Sequence, residues 1–138
     1  MAGRRARSPA LRVPAMLHLD TNFLILALQR GTSEETKLRA WIGAGESPGI
    51  SAVAWAEFYC GPLDSRDKAL ARVLFPVVEP LLPADAEKGA ELFNLTGRRA
   101  RSLADCLIAA VAIRCGAQLA TGNHADFQPF VSHGLTLA

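Results

Sequence analysis

The sequence predicts a three-layer α/β/α domain, with helices on both sides of a central, largely parallel sheet. Three observations lead there. Short, almost wholly apolar runs alternate with longer helical stretches along the whole chain. Half of the 138 residues are hydrophobic, enough to fill one core. Several Asp and Glu residues stand alone where an apolar run hands over to a helix, the edge at which ligands of open α/β sheets bind.

The elements follow in order. "MLHL" (16–19) reads as a buried strand, and the helix through "FLILALQR" ends at Gly31. "EETKLRAWIGAG" (34–45) is a helix with Leu38, Trp41 and Ile42 on its apolar side, Trp41 being expected in the core. "PGIS" (48–51) is a short strand, and "AVAWAEFYCG" (52–61) a buried helix stopped by Gly61-Pro62. "SRDKALARVLF" (65–75) is amphipathic. "PVVEPLL" (76–82) reads as an irregular edge strand, because Pro76 and Pro80 have no N–H for a central ladder. "ADAEKGAELFNLTG" (84–97) and "SLADCLIAAVAIRCG" (102–116) are helices; "AQLAT" (117–121) and "GLTLA" (134–138) are closing strands.

Composition removes several classes. Residues 1–15 carry Arg4, Arg5, Arg7 and Arg12 with no acid, and the rest of the chain holds more acids than bases, so the net +2 is no argument for nucleic-acid binding. That first stretch has no periodicity, and Arg12 and Pro14 break its only apolar run, so it reads as a flexible leader rather than a signal peptide. The folded domain is expected to begin at Met16 and run to 138. No run is long and apolar enough for a membrane helix. Cys60, Cys106 and Cys115 form no C-x-x-C pair and sit among apolar residues, which reads as small buried thiols in a reducing cytoplasm.

Four acids stand apart. Asp20 is the only formal charge in 13–29, Glu57 the only one in 47–63, Asp105 in 102–113, and Asp126 from 115 to the C-terminus. Taken singly, Asp20 is equally an N-cap, Asp105 a first-turn acid stabilised by the helix dipole, and Asp126 a turn residue. Glu57, mid-helix among aromatics, has no capping role to explain it. Taken together, Asp20 ends the first strand, Glu57 follows the second, Asp105 opens a helix returning to the sheet, and Asp126 follows the "AQLAT" strand. Carboxylates gathered on one rim repel, and a hard cation with oxygen ligands, Mg²⁺ or Mn²⁺, resolves that repulsion. Such an ion suits phosphodiester hydrolysis, which needs an activated water and neutralised phosphoryl charge.

"LHLDTN", "AVAWAEF", "ADCLIAAVAI" and "LATGNHADF", in this order and spacing, resemble a PIN-domain ribonuclease of the VapC toxin type over about residues 16–138. The resemblance implies a Mg²⁺- or Mn²⁺-dependent endoribonuclease, cytoplasmic, homodimeric, and held inactive by a VapB-like antitoxin. It implies Asp20, Glu57 and Asp105 as catalytic and metal-binding acids. The family's fourth acid falls at Asn123, a departure that removes one negative charge, with Asp126 one helical turn on. Thr21, Asn22 and Thr121 match positions whose side chains orient the acids. The helices at 34–45 and 65–75 would form the antitoxin groove. Arg98, Arg99 and Arg101, just before the Asp105 helix, are the candidate phosphate contacts for RNA, or else a solvated basic loop.

Two rivals remain. A phosphohydrolase with a nucleophilic Asp at the end of its first strand wants an acid where Asn22 stands and a downstream Lys, but no Lys follows Lys88. A PIN domain that binds RNA or protein without cutting is the other, and Asn123 is the residue that argues for it.

Overall fold

The computed structural model describes residues 17–97 and 102–138; residues 1–16, with the expected leader, and Arg98, Arg99 and Arg101 lie outside the described residues. Four short strands, β1 (Leu17–Leu19), β2 (Pro48–Gly49), β3 (Gln118–Ala120) and β4 (Thr136–Leu137), form a sheet in the order β2-β1-β3-β4. Every pairing is parallel, with His18 of β1 opposite Gly49 on one side and Leu119 on the other. Parallel strands need crossovers, and helices supply them: α1 (Thr21–Ala27), α2 (Ser33–Gly43), α3 (Ala52–Cys60), α4 (Ser65–Leu74), α5 (Pro83–Leu95), α6 (Ser102–Cys115) and α7 (His124–Phe127). The predicted three-layer α/β/α architecture and its parallel sheet are what the chain adopts.

The local reasons for these elements can be read at their ends. Asp20 caps α1 by accepting from Phe23 N at 2.8 Å, Thr32 caps α2 through Glu35 N at 3.0 Å, and Ser51 caps α3 through Ala54 N at 3.1 Å. Helix α6 ends at Gly116, whose φ of 67° lets the chain reverse straight into β3. That reversal makes α6 run against the strands, so its N-terminus lies at their carboxyl edge. Helices α5 and α6 approach closely at Gly89, where a methyl group would meet Leu107 Cδ2 at 2.5 Å. The core contains Leu17, Leu19, Phe23, Leu24, Ile50, Phe58, Leu92, Ile108 and Leu119, all essentially inaccessible to water. Trp41 is partly buried and stacks on Phe23 with ring centroids 5.7 Å apart, a core role as expected.

Three expectations need correcting. The 76–82 segment is no strand: only Glu79 pairs, in one parallel bridge to Ser51, through Ala52 N to Glu79 O at 2.8 Å and Glu79 N to Ile50 O at 2.9 Å. Pro76 and Pro80 on either side prevent the ladder from extending. Residues 124–133, read as a loop, form α7 and then a 3₁₀ helix (Gln128–His133) that buries Phe127 and Phe130 against each other at 6.1 Å. Of the cysteines, only Cys106 is fully buried; Cys60, at the end of α3, is exposed.

One ion pair ties the layers together away from the carboxyl edge. Arg114 Nε donates to both oxygens of buried Asp85, at 2.9 and 3.1 Å, while its other nitrogens reach Glu79 Oε2 at 3.3 Å and Pro80 O at 3.1 Å. Asp85 also accepts from Leu82 N at 2.9 Å, closing the first turn of α5. Arg114→Met would leave this carboxylate buried without its cation. The expected cost is about 2 kcal/mol, at the low end for a broken buried pair because Arg114 itself is reached by water. Urea unfolding of the purified variant measures it, and a loss under about 0.5 kcal/mol would contradict the role.

Candidate active site

Parallel strands deliver their carboxyl ends to one rim, and the acids stand there. Asp20 follows β1 immediately, its own N–H still pairing with Ala120 O of β3 at 3.1 Å. Glu57 lies in the second turn of α3, the helix that follows β2 after Ile50 and Ser51. Asp105 lies in the first turn of α6. Together with Thr21, Asn22, Ile25 and Ile108 they line a single hollow of about 270 Å³. Thus the structure brings together Asp20, Glu57, Asp105, Thr21 and Asn22.

The three acids differ in environment. Asp20 is buried, at 6% exposure, Asp105 is half-buried and Glu57 is exposed. The helix carrying Glu57, expected to be buried, leaves that side chain exposed, and Asp105 likewise borders open space. Asp20 is both things the sequence allowed, an N-cap and a wall of the hollow. Burial, above all, pushes its carboxyl above the usual range, with the nearby Glu57 charge adding to the push; hydrogen bonds from Thr121 and from Phe23 N act the other way. Thr21 Oγ1 donates to Glu57 Oε1 at 2.6 Å, so the first residue of α1 holds an acid from α3.

The remaining candidates divide. Thr121, buried, bonds Asp20 and also accepts from Asn123 N at 2.9 Å, linking the loop after β3 to the hollow. Asn123 lines a neighbouring hollow with Asn22, Phe23, Ile25, Leu26, Glu34 and Gly122 rather than the acid hollow itself. Asp126 accepts from Asn123 Nδ2 at 2.7 Å and faces a third hollow, beside Thr96, Pro129 and His133. It orders the loop from outside. His18 stays in the core strand, where burial holds its imidazole below the usual range. Ile25, Ile108 and Glu34 are among the lining residues that the sequence reading did not single out. Ile25 and Ile108 were legible in principle, since Ile25 lies four residues after Thr21 and Ile108 three after Asp105 on their helices. Glu34 carried no signal, because an acid in the first turn of a helix ordinarily serves the helix dipole.

The donor set suits a hard cation. The hollow presents carboxylate, hydroxyl and amide oxygens and no sulfur or imidazole. Among the described residues no three His, Cys, Asp or Glu side chains form a ready-made ligand cage.

The PIN domain family model matches residues 17–128. This chain belongs to the PIN domain family. Solved structures of similar fold include VapBC2 from Rickettsia felis, bound to a DNA fragment from their promoter, with a TM-score of 0.69 at 19% identity over 88% of this chain and 96% of that one. FitAcB from Neisseria gonorrhoeae gives 0.65 at 23% identity, over 89% and 97%. A toxin–antitoxin complex from Klebsiella pneumoniae gives 0.66 at 24%, over 80% and 89%. No curated protein sequence matches the chain. Identities this low speak for the fold. No helix among the described residues of this PIN domain is long and apolar enough to cross a membrane.

The Asp20 carboxyl is a cost the fold bears at neutral pH. A folded-state value raised above the ordinary 3.8 means the folded chain keeps a proton the unfolded chain has released, so stability falls as pH rises through that interval. Asp20→Asn retains a good cap and removes the charge. In EDTA the variant should melt higher than wild type at pH 7, the gap narrowing as pH falls toward about 4. Thermal melts across that range check it; a variant that melts lower at pH 7 contradicts it.

Proposed function

We propose that this PIN domain is a Mg²⁺- or Mn²⁺-dependent endoribonuclease, the toxin of a VapBC-type pair, working in the cytoplasm. The observation that carries the reading is the convergence of Asp20, Glu57 and Asp105 on one polar hollow at the carboxyl rim of the sheet. Asp20 and Asp105 are the direct metal ligands, and Glu57 binds metal or orients the attacking water. A bound divalent ion supplies a water activated near neutral pH and neutralises charge on the phosphoryl oxygens. The chain's part is positioning. Thr121 and the Phe23 N–H hold Asp20, and Thr21 holds Glu57. Asn123, which lines the neighbouring hollow, has a neutral amide where the family pattern has an acid, and Asp126 accepts from that amide. Arg98, Arg99 and Arg101, outside the described residues, are the proposed phosphate contacts.

A second reading, an RNA-binding PIN domain that does not cut, is favoured by Asn123 alone. One assay separates them. Purified protein is incubated with structured RNA in Mg²⁺, Mn²⁺ or EDTA, beside Asp20→Asn and Asp105→Asn. The expected result is ion-dependent cutting that falls on the order of 100-fold in each variant. Equal cutting by the variants means a contaminant, and no cutting under any condition leaves the binding module.

The partner reading rests on a different face. Ala27, Leu28, Leu38, Ile42, Leu70 and Val73 line a mainly apolar groove of about 480 Å³ bordered by α1, α2 and α4, with Glu35, Arg39 and Arg66 also facing it. Such a groove suits the apolar side of an amphipathic helix, here the antitoxin's. Val73, 79% exposed, is the open end of this face. Val73→Glu should abolish co-purification with the product of a small adjacent reading frame while RNA cutting by the free protein persists. Undiminished co-purification would remove the groove from the partner interface. Homodimerisation belongs to the same proposal, by family resemblance.

A further inference from the structure

We propose that the hollow between the start of α2 and the loop after β3 is a base subsite that selects guanine next to the scissile phosphate; this rests on the nuclease reading. The hollow, about 430 Å³, is lined by Asn22, Phe23, Ile25, Leu26, Glu34, Gly122 and Asn123. Asn22 and Ile25 also line the acid hollow, so the two are contiguous. A nucleotide whose phosphate lies at the acids has its base within reach of this second space, and single-stranded RNA presents bases free to turn into it.

Its chemistry is one-sided. Phe23, Ile25 and Leu26 give apolar walls for the flat faces of a base. Glu34 is half-buried; its Oε1 accepts from the Ser33 hydroxyl at 3.0 Å and keeps a second lone pair. Its Oε2 lies toward the opposite loop, so near that a methyl on Gly122 would sit 3.4 Å away. Asn123 gives one amide hydrogen to Asp126, and with Asn22 it adds amides that can both donate and accept. The one charged group lining this hollow is the Glu34 carboxylate, an acceptor. Guanine alone carries two adjacent donor groups, N1–H and N2–H₂, to meet a carboxylate with both. Uracil would bring carbonyl oxygens against it on either side of one N–H. Adenine and cytosine bring one amine beside a ring acceptor. Selectivity arises as much from the acceptor–acceptor clash as from the pairing.

Two measurements test this. Cut ends from a pool of random single-stranded RNA are sequenced for wild type and Glu34→Gln. Wild type should enrich guanine at one fixed position beside the cut, and Glu34→Gln should reduce that preference about tenfold, since glutamine offers a donor as well as an acceptor. An unchanged preference, enrichment of another base, or cutting by Glu34→Gln that is lost and then restored by raised Mn²⁺ would overturn the subsite. The second readout needs no catalysis: GMP and UMP are titrated in EDTA while backbone amide resonances are followed. GMP should move the Gly122 and Asn123 amides more than UMP does, the difference vanishing in Glu34→Gln. Equal movement by both nucleotides overturns the proposal. Discrimination in this arm without any RNA cutting would sink the nuclease reading and leave the base subsite standing.

Discussion

Asp20 is where the sheet, a helix and the site meet, and the geometry of the rim depends on how that one residue is held. Its N–H continues the β1–β3 pairing to Ala120 O, its side chain caps α1 through Phe23 N, and Thr121 from the end of β3 reaches the same carboxylate. Each contact satisfies a group that burial would otherwise leave unpaired. In consequence the carboxylate is held in place at the wall of the hollow. A carboxylate so placed is costly, since burial disfavours its charge and Glu57 adds repulsion. Structural ion networks and functional sites alike hold acids in this way, and here the acid sits at the wall of the polar hollow.

The same logic explains why the three acids are not equally buried. One anchored carboxylate fixes the direction of the hollow; the others can remain near solvent and adjust. Glu57 hangs from an exposed helix position and, among the described residues, is tied through Thr21, at the first residue of the helix that Asp20 caps. Positional precision therefore passes from Asp20 to α1, from α1 to Thr21, and from Thr21 to Glu57. Asp105 reaches the rim by a separate route, through the reversal at Gly116 that sets α6 antiparallel to the strands.

Most of this was legible in the sequence because parallel α/β architecture couples pattern to place. An acid at a strand's end and an acid at the start of a returning helix must share an edge, whatever the details of packing. Asp20, Glu57 and Asp105 were found on that argument. What it could not supply was direction at finer scale. Asp126 lies on the right edge, yet α7 turns it toward Asn123 and the third hollow, because Phe127 and Phe130 claim the core and set the rotation of that short segment. The 76–82 segment shows the opposite failure: its edge position was readable, but two prolines leave only Glu79 able to pair. Glu34 was hidden because its signal is identical to that of an ordinary first-turn acid; only the return of the β3 loop at Gly122 gives it a neighbour.

The apolar groove and the acid hollow lie on two sides of one helical pair. Ala27 and Leu28 of α1 and Glu35 and Leu38 of α2 face the groove, whereas Asn22, Ile25 and Leu26 of α1 and Glu34 of α2 face the rim. No lining residue is shared between the groove and either rim hollow. The pair itself is stiff: Phe23 stacks on Trp41, and the Thr32 hydroxyl reaches back to Leu26 O at 2.7 Å. A segment seated in the groove alone therefore leaves the acids uncovered. To silence them it must either continue around the α1–α2 wall to the rim or move that wall as a body. The second route would break the Thr21–Glu57 bond and disturb the cap that orders Asp20, contacts the closely packed fold gives up only at a cost. A segment that extends past the groove to the rim demands no such rearrangement.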